Sequence, residues 1–562
     1  MIFIAYSQVS EEQLNHSLGM PEYSYYFVLR GFLPVLRELG QVILVSNPEQ
    51  EVDAIYNDWL KRGEECVFIS FSPPNKSITG LRCPTICVFA WEFDRIPDEV
   101  WDGDPKNDWR SVFADHGRTI TLSRYSTDAV KKSMGQDFPV TSIPVPIWDA
   151  FATYASRHHT LPDAQTVMTF RGNIIDSRNY AITSDSFEIK NSFEGFRFDP
   201  FPGGTIRMGF GLSDDFHVYL GGFYEPESWG TWSRIEKPWI LLPYILTGEV
   251  RIKLRLDGYA GNANREISIS LGSDEKKIKI AGGFADADLS FHLGKPENVL
   301  KFSGLDLTPV PNARDSRSMG IGLHYLEMSA DGVRPDQMQQ TDRGDSVRHV
   351  SLDGIVYTSV FNPGDDRKNW IDMVKAFCAA FRDVEDATLV LKMTHHSVSS
   401  FLGRLHFMYQ QMWPFKCRII ALHGYLDDAE YEKLIAATSF YVNSARCEGL
   451  CMPLMEFMSC GKPAIAPCHT SLADYVEKSS TLIVESGVEP AIWPHDPREL
   501  FRALKYRIDW ESLMNAYRQS YDIVKNKPDV YRGMAEAARQ KMKEYSSTDA
   551  VKKQLKTFLN LK

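Results

Sequence analysis

Two glutamates, Glu448 and Glu456, stand with seven residues between them on the stretch Arg446-Cys447-Glu448-Gly449-Leu450-Cys451-Met452-Pro453-Leu454-Met455-Glu456-Phe457-Met458-Ser459-Cys460-Gly461-Lys462-Pro463. Gly449 gives the backbone freedom, Pro453 suits a first helical position, and Gly461 ahead of Pro463 reads as a stop. The stretch therefore predicts a loop opening a helix, with Glu448 on the loop and Glu456 in the first turn. A helix start presents unpaired N–H groups and a positive dipole end, which suit a phosphate. A carboxylate accepts paired hydrogen bonds from vicinal hydroxyls, of a hexose or of a ribose. Amides for a diphosphate and two carboxylates for two polyols together describe a nucleotide-sugar site. The plainer reading of the same residues is a first-turn acid and a solvated loop charge.

In its context, E-G-L-C-M-P-L-M-E-F-M-S-C-G-K-P, the string resembles the donor-site signature of retaining GT-B glycosyltransferases of family four. The resemblance implies that Glu448 contacts the donor sugar and Glu456 the ribose, with Gly449 and Leu450 on the same donor-binding loop. It also implies a diphosphate loop in Asn362-Pro363-Gly364-Asp365-Asp366-Arg367-Lys368-Asn369-Trp370. There Lys368 matches the family's lysine. The usual upstream arginine is missing; Asn362 or Pro363 lies near its place, and either Arg367 substitutes for it or the donor phosphate is held less tightly. The nucleobase is expected against the loop holding Tyr425, which serves equally as a core residue.

On the acceptor side the resemblance points to Gly19 and Met20 after the first strand, and to Ser123 in a strand, serine, helix passage at 119–130. Where the family often carries a His-Asp pair facing the donor sugar, this chain has Glu92 and, less closely, Asp94. Glu92 either accepts a sugar hydroxyl or pairs with Arg95.

Three segments must position these residues. Residues 1–163 alternate short apolar runs, such as Cys66-Val67-Phe68-Ile69-Ser70 and Thr85-Ile86-Cys87-Val88-Phe89-Ala90, with a helical pattern over 25–39. Such runs predict parallel strands covered on both faces, and ligands of such sheets sit beyond the strands' carboxyl ends. Residues 164–345 lose that alternation. Runs of period two, at 251–256, 266–271, 277–280, 298–302 and 319–326, predict an antiparallel β-sandwich. Its string Gly222-Phe223-Tyr224-Glu225-Pro226-Glu227-Ser228-Trp229-Gly230-Thr231-Trp232-Ser233 offers Tyr224, Trp229 and Trp232 as a saccharide platform or as core. It resembles sandwich modules attached to bacterial polysaccharide glycosyltransferases. Residues 346–562 return to α/β, with strands at 353–360, 387–392 and 417–422, helices at 370–381 and 427–437, and a helical tail over 510–561.

The expected fold class is thus α/β of GT-B type: two Rossmann-like domains facing a cleft, with an inserted all-β domain. The first, 1–163, is the acceptor side; 164–345 is the insert; 346–562 binds the nucleotide sugar and closes with the tail. The resemblance covers both α/β segments, about 380 residues.

At 562 residues and 43% hydrophobic, the chain is long enough for several cores. Its net charge of −11 argues against general binding of nucleic acid. Residues 501–562 carry fourteen Lys and Arg against seven acids, so the tail alone is basic. That is either a solvated helical face or a surface for anionic headgroups and a lipid-linked acceptor. Nine scattered cysteines, an odd number, fit free thiols in a reducing compartment. No apolar run approaches the ~20 residues of a membrane span. The N-terminus, Met1-Ile2-Phe3-Ile4-Ala5-Tyr6, lacks the basic start of a signal peptide and reads as a first buried strand. The expected location is the cytoplasm, either free or in peripheral contact with the inner face of the membrane.

These readings converge on a hexosyltransferase-like enzyme. It moves a sugar from a nucleotide-sugar donor to a saccharide or lipid-linked saccharide, in bacterial surface polysaccharide synthesis. From the resemblance, transfer is retaining and needs neither metal nor cofactor. Asp102-Gly103-Asp104 has the spelling of a metal-binding Asp-x-Asp but stands in a polar loop. The alternatives are a non-catalytic carbohydrate-binding or assembly protein on a GT-B scaffold, and another GT-B-like enzyme such as a nucleotide-sugar epimerase or a phosphorylase.

Overall fold

Apolar runs without alternation form two parallel sheets. The computed structural model describes residues 1–10, 17, 19–20, 22–155, 165–179, 198–211, 219–311, 315–330, 348–395, 399–412 and 414–561. Six parallel strands make the first sheet, in the spatial order Gln41–Leu44, Ile2–Ser7, Cys66–Phe71, Thr85–Phe89, Thr119–Thr121, Val140–Ser142. Every residue of Cys66–Phe71 and Thr85–Phe89 is buried, as strands covered on both faces require. The helix predicted at 25–39 spans Tyr23–Leu39.

The second sheet has seven strands, in the order Thr481–Val484, Ala464–Pro467, Phe440–Val442, Ile355–Phe361, Ala387–Met393, Arg418–His423, Asn173–Asp176. All pairings are parallel except the last, where Asn173–Asp176 runs antiparallel along the edge. Thr166–Phe170 pairs with Arg348–Leu352 as a separate ribbon. The segment read as 164–345 therefore gives its first residues to the third segment. The reason is Arg418, 5% exposed, which donates to Asp176 at 2.6 Å and to the Ser351 carbonyl at 2.7 Å. A buried guanidinium needs that carboxylate, and the edge strand supplies it.

Between them in sequence, a nine-stranded sheet forms, antiparallel except where Asp199–Pro200 pairs in parallel with Tyr244 and Ile245. Strands expected at 251–256 and 298–302 are parts of much longer ones, Trp239–Gly258 and Ala285–Ser303. Pro243 and Pro296 lie where the register shifts, on either side of the isolated pair Leu246↔Glu297. Proline is tolerated at such bulges, so the strands continue through. Ile252, Leu254, Leu256, Ile267, Ile269 and Phe291 point to one face and form a core of their own.

The tail folds as three helices, Trp510–Asn526, Pro528–Ser546 and Thr548–Leu559. Pro528 opens the second, and the Ser547 side chain caps the third by accepting from the Ala550 N–H at 3.3 Å. Lys525, Lys541 and Lys552 pair with Asp386, Glu477 and Glu38, so acids elsewhere in the chain neutralise part of the tail's charge. Among the described residues no helix is long and apolar enough to cross a membrane. All nine cysteines are free thiols.

Candidate functional site

The carboxyl ends of the two parallel sheets meet through the loops that follow their strands: Glu92, after Thr85–Phe89, pairs with Arg367, after Ile355–Phe361. Phe440–Val442 ends into the loop 443–451, which enters the helix Met452–Ser459. Cys451 takes φ +65° just before the helix, an uncommon conformation for a residue with a side chain. Gly461 follows the helix at φ +80°, as its role of stop requires. Gly449 is needed for a different reason than backbone freedom. A Cβ there would stand 3.0 Å from Ala90 Cβ and 3.2 Å from the Trp91 nitrogen, so a side chain at 449 would push the two loops apart by a few tenths of an ångström. Leu450, beside it, is buried.

Glu448 is 2% exposed and fully engaged. Lys368 Nζ donates to both its oxygens at 2.8 Å, Arg367 donates at 2.9 Å, and Asn443 Nδ2 donates at 3.2 Å. Its backbone N–H donates to Thr470 Oγ1 at 3.1 Å. Burial pushes the carboxyl's pKa up, but the charges of Lys368 and Arg367 outweigh it and hold it at about 2. Arg367 also reaches Asp365 at 2.9 Å and Glu92 at 3.2 Å. Glu92 therefore pairs with Arg367, whereas Arg95 pairs with Asp98. Burial raises the Glu92 pKa against the pull of Arg367, with Asp365 and Glu448 adding to the rise. Five charged side chains, two cations and three carboxylates, thus meet across the two sheet edges.

Asn362 joins the same seam, donating from Nδ2 to the Gly19 carbonyl at 3.0 Å. Gly19, at φ +84°, could not carry a Cβ, which would lie 2.8 Å from His395 Cδ2. Met20 beside it is 52% exposed. Asp94 is held away from the cluster by Lys132 at 3.2 Å and the Leu504 N–H at 2.9 Å.

Glu456 sits in the second helical turn, because the helix starts at Met452. Tyr431 Oη donates to it at 2.6 Å, and burial pushes its pKa up to about 7. Since its ordinary value is 4.5, the native state holds its proton longer than the unfolded chain does. Stability is therefore expected to fall as pH rises from about 4.5 to about 7 and to level off above. Glu456→Gln should flatten the difference in melting temperature between about pH 5 and about pH 8; an unchanged difference would assign that slope to another group. Tyr425 is half-buried and, with Glu456, within electrostatic reach of Tyr23.

The remaining predicted residues lie elsewhere or are otherwise employed. Ser123 is buried as the cap of the helix Arg124–Met134, its Oγ accepting from the Ser126 N–H at 3.2 Å. Trp232 lies on the short strand Thr231–Trp232 of the nine-stranded sheet, and Tyr224 and Trp229 stand in the loop that precedes it. The two tryptophan rings meet edge to face, 5.2 Å apart at 70°, and Trp229 meets Phe284 in the same manner at 5.1 Å. Tyr224 Oη donates to the Ser318 carbonyl at 3.1 Å. Asp104 caps the turn Pro105–Asn107, and among the described residues no group of three His, Cys, Asp or Glu is placed to hold a metal ion.

Sequence reasoning missed Asn443, Thr470 and the hairpin Ser486–Ile492 with Arg502–Ile508. The alternation in Arg502-Ala503-Leu504-Lys505-Tyr506-Arg507-Ile508 was the available signal for the hairpin. His469 stacks on its Tyr506, ring centroids 4.1 Å apart at 8°, and burial pushes the histidine's pKa down to about 4.

No protein-family model matches this sequence, and no curated protein matches it. Among solved structures, HepE from Anabaena, in complex with UDP and glucose, is similar over 100% of this chain and 99% of its own, at 8% identity and a TM-score of 0.43. A glycosyltransferase from Rickettsia africae ESF-5 is similar over 100% and 98%, at 9% identity and 0.42. Sucrose-phosphate synthase from Thermosynechococcus elongatus is similar over 38% of this chain and 46% of its own length, at 17% identity and 0.27. Similarity of this degree fixes neither fold nor activity, so function has to be argued from the side chains.

Proposed function

We propose that this chain is a glycosyltransferase, moving a sugar from a nucleotide-sugar donor to a saccharide or lipid-linked acceptor. The observation that carries the reading is the Glu448 carboxylate held between Lys368 and Arg367 at a loop-to-helix junction, where the two parallel sheets meet. Lys368 and Arg367 are the cations a leaving diphosphate needs as its charge grows. Without a ligand, Glu448 holds the place of that anion. When the diphosphate takes the two cations, Glu448 is released to accept hydrogen bonds from the donor sugar's hydroxyls. Glu456 takes the ribose, and Tyr431 fixes its orientation. Glu92, brought to Arg367 from the first sheet, faces the same sugar from the acceptor side.

Transfer with retention then proceeds on one face of the sugar. The bond between the anomeric carbon and the phosphate oxygen breaks, the acceptor oxygen bonds to that carbon, and the departing phosphate takes the acceptor's proton. The side chains named here bind and orient, and none is a nucleophile. We read the two parallel sheets as two α/β domains facing a cleft, with the nine-stranded sheet inserted between them in sequence. Surface polysaccharide synthesis, with peripheral contact through the basic tail, is the setting we infer.

A thermal-shift panel of UDP-, GDP-, dTDP- and ADP-sugars tests the reading. A ligand at a hundredfold over its dissociation constant adds about 2.7 kcal/mol, enough to raise a melting temperature by several degrees. A shift with one nucleotide class is expected. Silence across the panel, with and without oligosaccharide, would end the transferase reading.

A further inference from the structure

The hairpin at 486–508 touches both loops that carry the site's carboxylates. Its tip enters an aromatic cage of the first segment. Trp493, 7% exposed, meets Trp91 at 5.5 Å, Trp101 at 6.1 Å and Trp109 at 6.3 Å, all edge to face. Trp91 immediately precedes Glu92. Around that contact, Arg498 pairs with Glu99 at 3.1 Å and lies 4.6 Å over the Trp101 ring. Arg95 lies 5.7 Å over Phe501, and the Leu504 N–H donates to Asp94 at 2.9 Å.

The other end of the hairpin holds the donor loop. The Tyr506 N–H donates to the Arg446 carbonyl at 2.8 Å, while the Arg446 N–H donates to the Arg367 carbonyl at 2.7 Å. The Tyr506 ring stacks on His469, whose neighbour Thr470 receives the Glu448 N–H. The tip is stiff. Buried Asp496 accepts from Arg498 N and Nε at 3.0 and 2.9 Å and from the Leu500 and Phe501 amides at 3.2 and 2.8 Å. Pro494 and Pro497 restrict the same turn. A rigid two-stranded ribbon anchored at both ends transmits position from one anchor to the other.

We propose that this hairpin is a strap tying the Glu92 loop to the Glu448 loop, with Trp493 as a positioning residue that sets the spacing of the two carboxylates about Arg367. What the site does rests on the transferase reading; the mechanical coupling does not. In the unliganded chain the strap keeps the cluster assembled. It limits how far the two sheet edges separate when a ligand enters.

Hydrogen exchange read by mass spectrometry on the full unliganded chain tests this, comparing wild type with Trp493→Ala and Trp493→Phe. In Trp493→Ala, peptides 88–97 and 444–452 should both exchange about tenfold faster, with 387–393 unchanged. Trp493→Phe should restore most of the protection, because a phenyl ring still fills the cage. Acceleration confined to 88–97 would overturn the strap, as would no change in either loop. Should Trp493→Ala fail to fold, Arg498→Gln loosens the same tip from Glu99 and supplies the same comparison. A nucleoside diphosphate series (uridine, guanosine, thymidine, adenosine) added to wild type is read separately. If none protects 444–452, the transferase reading fails, while the comparison between variants still decides the strap.

Discussion

Glu448→Gln should lower transfer at least about a thousandfold while the chain stays folded. Glutamine keeps the shape of the side chain but carries no charge to balance Lys368 and Arg367. Arg367 retains Asp365 and Glu92, so the guanidinium is not abandoned. Lys368 loses the carboxylate that receives it through both oxygens. On the proposed reading, the same change removes the anion that stands on the two cations a diphosphate would take. The nucleoside diphosphate that shifts the wild-type melting temperature should therefore bind the variant at least as tightly, although transfer collapses. Steady-state rates and calorimetric binding measure the two sides. Near-normal transfer would remove Glu448 from the site, and weaker diphosphate binding would remove its role as a placeholder.

Asp176→Ala should cost about 3–5 kcal/mol of stability, because it strands the guanidinium of Arg418 in the interior. Of the partners that remain, Asp353 lies at 3.3 Å and is 35% exposed, and the Ser351 carbonyl is neutral. The loss would also detach Asn173–Asp176 from the edge of the second sheet, where its pairing with Arg418–His423 is the antiparallel exception. Replacing both partners with apolar residues of similar volume, Asp176→Leu with Arg418→Met, should recover most of the loss, since neither leaves a buried charge. Urea unfolding of the single and double variants supplies the cycle. A single-variant loss below about 1 kcal/mol would mean that water or Asp353 takes over the pairing.

Much of the candidate site was legible in local sequence. A loop, a helix and a stop follow from Gly449, Pro453 and Gly461, and Lys368, legible as a cation of the same site, meets Glu448 at 2.8 Å. The helix began one residue earlier than Pro453 suggested, which moved Glu456 into the second turn. Arg367, which has no counterpart at that position in the family pattern, is the hub of three carboxylates. Glu92 was read as a sugar contact or a partner of Arg95. Its partner is instead Arg367, far along the chain, and no local pattern contains that information. The aromatic string was legible as aromatic, but the edge-to-face packing of Trp229 on Phe284 depends on a segment distant in sequence.

Local sequence determined the elements. Apolar runs made fully buried parallel strands, alternating runs made the antiparallel sheet, and capping and turn residues set where helices begin and stop. These are decided over a few residues by burial period and backbone preference. Only the tertiary structure decided which charges meet: Glu448 with Lys368 and Arg367, Glu92 with Arg367, Asp176 with Arg418. It also decided that Trp493 would reach the cage behind Glu92. Such pairings depend on strand order and on where loops cross, and many small long-range contacts fix both together, none of them written in any short stretch of the chain.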